Sequence, residues 1–143
     1  MTWRILLVDD EPAIRLTLKS ILQKNRYKVV TAASSAEAKL RLRSERYDLV
    51  ITDLKMEHER AGFDVVRFAT EQSYRPAVVI MTACADLGKD WKEQGAESLL
   101  VKPTNGPELL ECIEALLARR QTNMAGKITT VAPCCNPRTW DDS

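Results

Sequence analysis

Four short apolar runs, Ile5-Leu6-Leu7-Val8, Leu49-Val50-Ile51-Thr52, Val78-Val79-Ile80-Met81 and Leu99-Leu100-Val101, recur along the chain with helix-like patterns between them. Each is apolar at consecutive positions, so both faces must be buried, as they are for a strand inside a parallel sheet. A weaker run, Lys28-Val29-Val30-Thr31, has the mixed character of an edge strand. Parallel neighbours cannot be joined by tight turns, and the intervening segments are long enough to cross over as helices.

Over residues 12–23, Ile14, Leu18, Ile21 and Leu22 share one helical face, and Pro12 suits the first turn. Ser34 and Glu37 have capping-box spacing and open a second helix to about Arg43, with Leu40 among the residues expected to face inward. A third helix follows Gly62 through Phe63, Val65 and Val66. Residues 86–94 hold only Leu87 and Trp91 as large apolar anchors, with Gly88 inside and Gly95 as a stop, so this fourth helix is expected to be easily displaced. The last helix starts near Pro107 and carries Leu109, Leu110, Ile113, Leu116 and Leu117 on one face. Arg119 and Arg120 are expected at its negative end. Five strands alternating with five helices predict an α/β fold, a flavodoxin-like (βα)5 doubly wound parallel sheet with strand order 2-1-3-4-5.

A chain of 143 residues with 45% hydrophobic content can build one core of ordinary size. From Gln121 the periodicity fades and Gly126, Pro133 and Pro137 follow, so residues 1–120 are expected to form the domain. Residues 121–143 read as a flexible tail with no room for an output domain. The 21 basic and 20 acidic residues are dispersed, and no basic stripe marks a nucleic-acid surface. The first apolar run is only of strand length, so neither a secretory signal nor a membrane span is expected. Cys84, Cys112, Cys134 and Cys135 have no metal-site spacing, which fits a reducing, cytoplasmic setting.

In an open parallel sheet, ligands sit beyond the carboxyl ends of the strands. The residues at those ends are Asp9 and Asp10, Asp53, Thr82, and Lys102 followed by Pro103. Three carboxylates about 5 Å apart repel by roughly 3 kcal/mol per pair at an effective dielectric of about 20, so a shared pocket calls for a cation. Oxygen donors without His or thiolate point to Mg²⁺. With acidic charge offset, Asp53 on a central strand can attack phosphorus, while Asp9 and Asp10 hold metal. Lys102 can pair with a phosphoryl oxygen, and the Thr82 hydroxyl can donate to it.

Leu7-Val8-Asp9-Asp10-Glu11-Pro12, Asp48-Leu49-Val50-Ile51-Thr52-Asp53-Leu54-Lys55-Met56, Met81-Thr82-Ala83 and Val101-Lys102-Pro103 together resemble the response-regulator receiver domain. The match spans roughly residues 3–120. The resemblance implies a cytoplasmic two-component or phosphorelay protein whose Asp53 takes a phosphoryl group from a sensor histidine kinase or phosphotransfer protein. It implies Mg²⁺ bound by Asp10, Asp53 and the Lys55 backbone carbonyl, with Asp9 reaching it through water. It further implies a cis bond between Lys102 and Pro103, Thr82 moving toward the phosphoryl group, and slow self-dephosphorylation rather than multiple-turnover catalysis. A downstream protein partner would be contacted through the fourth helix, fifth strand and fifth helix.

Leu99 stands where the family usually has an aromatic residue, and the loop after Met56 is longer and lacks the usual proline. Lys55 and Cys84 flank the site in the family and bear on phosphoryl lifetime. Two alternatives remain open from sequence: a receiver-like binding module that does not use phosphorylation, and a haloacid-dehalogenase-type phosphatase, which would need an acid where Lys55 stands. Singly, Asp9 or Asp10 could cap the first helix, Asp53 could end a strand, Thr82 could cap the next helix, and Lys102 could be a solvated charge. His58 reads as a surface residue, the Cys134 and Cys135 pair as part of the tail, Trp91 as a packing residue, and Trp140 as a docking contact of unassigned target.

Overall fold

The computed structural model describes residues 3–56, 61–82, 95–101 and 106–124. In chain order the elements are β1 (Arg4–Val8), α1 (Pro12–Lys24), β2 (Lys28–Ala32), α2 (Ser35–Ser44), β3 (Leu49–Asp53), α3 (Ala61–Thr70), β4 (Ala77–Thr82), β5 (Ser98–Val101) and a C-terminal helix (Gly106–Met124). All five strands join one parallel sheet in the order β2-β1-β3-β4-β5, as the alternation predicts. Strand limits agree with the apolar runs to within one residue at either end. The reason is burial: β1 from Ile5 to Val8, all of β3 and all of β4 are buried on both faces.

Register aligns the carboxyl ends. Val8 pairs with Ala32 on one side and Thr52 on the other, Asp53 pairs with Met81, and Thr82 pairs with Val101. The first residues beyond β1 and β2, together with the last residues of β3 and β4, therefore share one rim.

Helix α1 buries Leu18 and Leu22 and packs Ile14 and Ile21 at the margin of the core. It stops where Arg26 takes a positive φ of 73°, with the Arg26 amide donating to Gln23 and the Tyr27 amide to Leu22. At the start of α2, Ser34 Oγ caps the helix by accepting from the Glu37 amide at 3.1 Å, and Glu37 Oε1 reaches back to accept from the Ala33 amide at 2.8 Å, one residue before the cap amide that a capping box uses. Leu40, expected inward, is instead 56% exposed. The inward stripe is Ser35, Ala38 and Leu42, and Leu40 lies two residues off it, which on a helix is the far side.

The C-terminal helix buries Leu109, Cys112, Ile113, Leu116 and Leu117. It does not end at Arg120. Residues 121–124, assigned to the tail from sequence, are helical, so neither Arg119 nor Arg120 sits in the last turn. Arg120 reaches sideways instead: its guanidinium donates to Asp48 Oδ1 at 3.3 Å and to the carbonyls of Tyr74 and Arg75. Asp48 also accepts the Arg4 amide at 2.9 Å. This cluster ties the amino ends of β1, β3 and β4 to the C-terminal helix, at the edge opposite the carboxyl rim.

Gly95, the expected helix stop, has φ of 106°, and a Cβ there would lie 2.9 Å from Thr70 Cγ2. The predicted fourth helix over 86–94 with Trp91, the loop residue His58, Cys84, Lys102 with Pro103, and the tail residues Cys134, Cys135 and Trp140 lie outside the described residues.

Candidate functional site

Asp9 is the first residue past β1 and is completely buried. Three bonds are among those that hold it. Its amide continues the ladder to the Ala32 carbonyl at 3.1 Å, its Oδ1 accepts the Glu11 amide at 2.9 Å, and its carbonyl accepts Arg15 Nη1 at 2.7 Å. Asp10 follows and is exposed. The N-cap of α1 is Glu11, whose side chain makes no capping bond, and Pro12 opens the helix as the sequence suggests.

Asp53 ends β3 in the middle of the sheet and is 7% exposed. Its carbonyl accepts the Thr52 hydroxyl at 2.9 Å. The chain then turns with the Leu54 amide on the Met81 carbonyl and the Gly62 amide on the Leu54 carbonyl. Thr82 ends β4 and is 6% exposed, whereas Lys55, two residues beyond Asp53, is exposed.

One carboxylate oxygen from each of Asp9, Asp10 and Asp53 lies within 4.8 Å of the others. The convergence expected from the strand ends is therefore present for all three acids. Two of them are buried, where like charges in one pocket are costly unless a cation shares it. The donor set is oxygen only, which suits a hard divalent ion such as Mg²⁺ and not a thiolate- or imidazole-loving metal.

Two contacts at the site escaped the sequence reading. Arg15 lies one turn into α1, and side chains on a helix lean toward its N-terminus, so its position five residues after Asp10 was an available signal. Gly62 had none: a Cβ there would fall 2.4 Å from the Asp53 carbonyl oxygen and 2.7 Å from Leu54 Cα, a contact visible only in three dimensions.

The sequence matches the family model described as response regulator receiver domain over residues 5–114. The chain belongs to the response-regulator receiver family. This receiver is similar to the protein PilH of Pseudomonas aeruginosa, with 34% identity over 119 residues that cover 80% of this chain and 98% of PilH. It is also 38% identical over 108 residues to the alginate biosynthesis regulator AlgB of the same species, but that match covers only 24% of AlgB. Among solved structures, the receiver superposes on the chemotaxis response regulator CheY4 of Vibrio cholerae with a TM-score of 0.75 at 30% identity, covering 81% of this chain and 99% of CheY4. It matches the response regulator TrrA of Thermotoga maritima, solved in complex with Mg²⁺ and BeF, with a TM-score of 0.72 at 35% identity, covering 80% of this chain and 98% of TrrA.

Receivers are modules of two-component signalling, not multiple-turnover enzymes. Leu99, in β5, is only 3% exposed and lies opposite Ile80. Among the described residues, no helix is long and apolar enough to cross a membrane.

Proposed function

We propose that this receiver accepts a phosphoryl group on Asp53 from a phosphohistidine of a sensor histidine kinase or phosphotransfer protein, in the cytoplasm, with Mg²⁺ as cofactor. The observation that carries this reading is the convergence of Asp9, Asp10 and Asp53 within 4.8 Å on the carboxyl rim of the sheet. The Mg²⁺ and BeF complex of TrrA, a relative at 35% identity, supports it.

Asp10, Asp53 and the Lys55 carbonyl would hold the ion, with Asp9 acting through water. When bound, Mg²⁺ offsets the acidic charge and stabilises negative charge on the phosphoryl oxygens. Asp53 contributes the nucleophile: a carboxylate oxygen forms the new P–O bond, the P–N bond to the donor imidazole breaks, and the leaving nitrogen takes up a proton. The fixed backbone around Asp53 holds that oxygen in place, and burial keeps bulk water from it. Thr82 donates its hydroxyl, and Lys102 its ammonium, to the phosphoryl oxygens.

The signal then passes to a protein partner through residues 86–94, β5 and the C-terminal helix. A phosphatase of the haloacid-dehalogenase type is disfavoured because Lys55 stands where its second acid is needed. The test is labelling by a small-molecule phosphodonor. Label should require Mg²⁺ and disappear in Asp53→Asn. Label persisting on that variant would displace Asp53 from its role, and no label on the native chain would favour a binding module independent of phosphorylation.

A further inference from the structure

Resting on the metal reading above, we infer that Arg15 is a positioning residue for the exposed carboxylate of the cluster, Asp10. The two buried acids are held by their surroundings: Asp9 by the three bonds already described, and Asp53 by its place at the end of β3, paired with Met81 of β4. Asp10 is exposed, and burial does nothing to fix it.

What fixes Asp10 is the peptide unit it shares with Asp9. The Asp9 carbonyl and the Asp10 amide lie in one rigid plane, so pinning the carbonyl sets the direction in which the Asp10 Cα and its side chain leave the strand. Arg15 Nη1 pins that carbonyl at 2.7 Å. The Arg15 amide, meanwhile, donates to the Glu11 carbonyl at 3.0 Å, and the Glu11 amide donates to Asp9 Oδ1. These three bonds close a ring around Asp10 that begins and ends on Asp9. The cation sits in the first helical turn, where the dipole disfavours positive charge, so the contact and not the dipole accounts for its placement.

A residue in this role governs geometry more than charge. Mg²⁺ demands near-ideal octahedral oxygens, whereas Ca²⁺ tolerates loose ones. Loosening Asp10 should therefore harm Mg²⁺ binding more than Ca²⁺ binding. If the Arg15 charge mattered most, removing a cation near three carboxylates would tighten both ions.

The experiment measures Mg²⁺ and Ca²⁺ affinities by calorimetric titration of the full chain, at a temperature where every variant is folded by circular dichroism. Native protein is compared with Arg15→Met, Arg15→Lys and Asp10→Asn. Arg15→Met should weaken Mg²⁺ about tenfold, the scale typical of residues that orient metal ligands, and weaken Ca²⁺ distinctly less. Arg15→Lys, still able to donate to the carbonyl, should recover most of the Mg²⁺ affinity. Unchanged or tighter Mg²⁺ binding in Arg15→Met, or equal losses for both ions, would overturn the role of Arg15 while leaving the metal site standing. A native chain that binds no Mg²⁺ would overturn the metal reading, and this role with it.

Discussion

Gly62 in the first turn of α3 lies directly against the main chain of Asp53: a Cβ on it would come within 2.4 Å of the Asp53 carbonyl oxygen. Its amide also donates to the Leu54 carbonyl at 2.8 Å, so the helix is docked onto the strand end that presents the central acid. Both neighbouring atoms are backbone and cannot swing aside. Gly62→Ala should therefore destabilise the fold by roughly 1–3 kcal/mol, the range for overpacking, and weaken Mg²⁺ binding at temperatures where the variant remains folded. Urea unfolding and metal titration check this. Stability and affinity both equal to the native values would show that the contact does not shape the site.

The Asp48 and Arg120 pair is a separate structural device at the far end of the sheet. Side chains there are mostly buried, 16% exposed for Arg120 and 25% for Asp48, and the guanidinium serves two carbonyls besides the carboxylate. Arg120→Met should cost about 1–3 kcal/mol, since it strands acceptors that a charged donor now satisfies. Phosphodonor labelling measured on the folded variant should be unchanged. A loss of labelling at full folding would mean that the two ends of the sheet are coupled.

Alkaline pH should probe the same end of the sheet, where the tyrosines precede β2, β3 and β4. All three tyrosines, Tyr27, Tyr47 and Tyr74, hold their protons more tightly than a free phenol, each chiefly because burial disfavours the charged form. Tyr74 is pushed from 10.0 to about 12, by burial first and then by Tyr47, and its hydroxyl donates to the Leu42 carbonyl at 2.8 Å. The folded state thus binds more protons than the unfolded state above the ordinary phenol value. These phenols should leave stability unaffected below about pH 10 and reduce it as pH rises from there toward about 12. Ultraviolet titration of tyrosinate alongside thermal melting tests this, with Tyr74→Phe expected to flatten part of the alkaline decline. Normal titration of all three groups in folded protein would contradict it.

The fold was legible because a parallel sheet announces itself through runs that are apolar on both faces, and the acids of the site stand next to those runs in sequence. Asp9, Asp10, Asp53 and Thr82 each occupy the strand end that the pattern predicts. Leu40 misled because hydrophobicity outweighed phase: Ser35 and Ala38 fill the close-packed stripe of α2 that a bulky residue was expected to occupy. The end of the last helix was obscured because Gln121, Thr122 and Asn123 carry no apolar periodicity although the backbone stays helical. Arg120 and Asp48 are 72 residues apart, and Gly62 matters through a backbone approach, so neither contact leaves a local trace.

Reductive trapping shows most directly whether Asp53 forms an acyl phosphate. Native protein is incubated with Mg²⁺ and a small-molecule phosphodonor and treated with borohydride, which converts an aspartyl phosphate to homoserine; peptides are then mapped by mass spectrometry. Homoserine should appear at position 53 and depend on Mg²⁺. Homoserine at position 9 or 10, or none at any position in protein shown to bind Mg²⁺, would contradict the account.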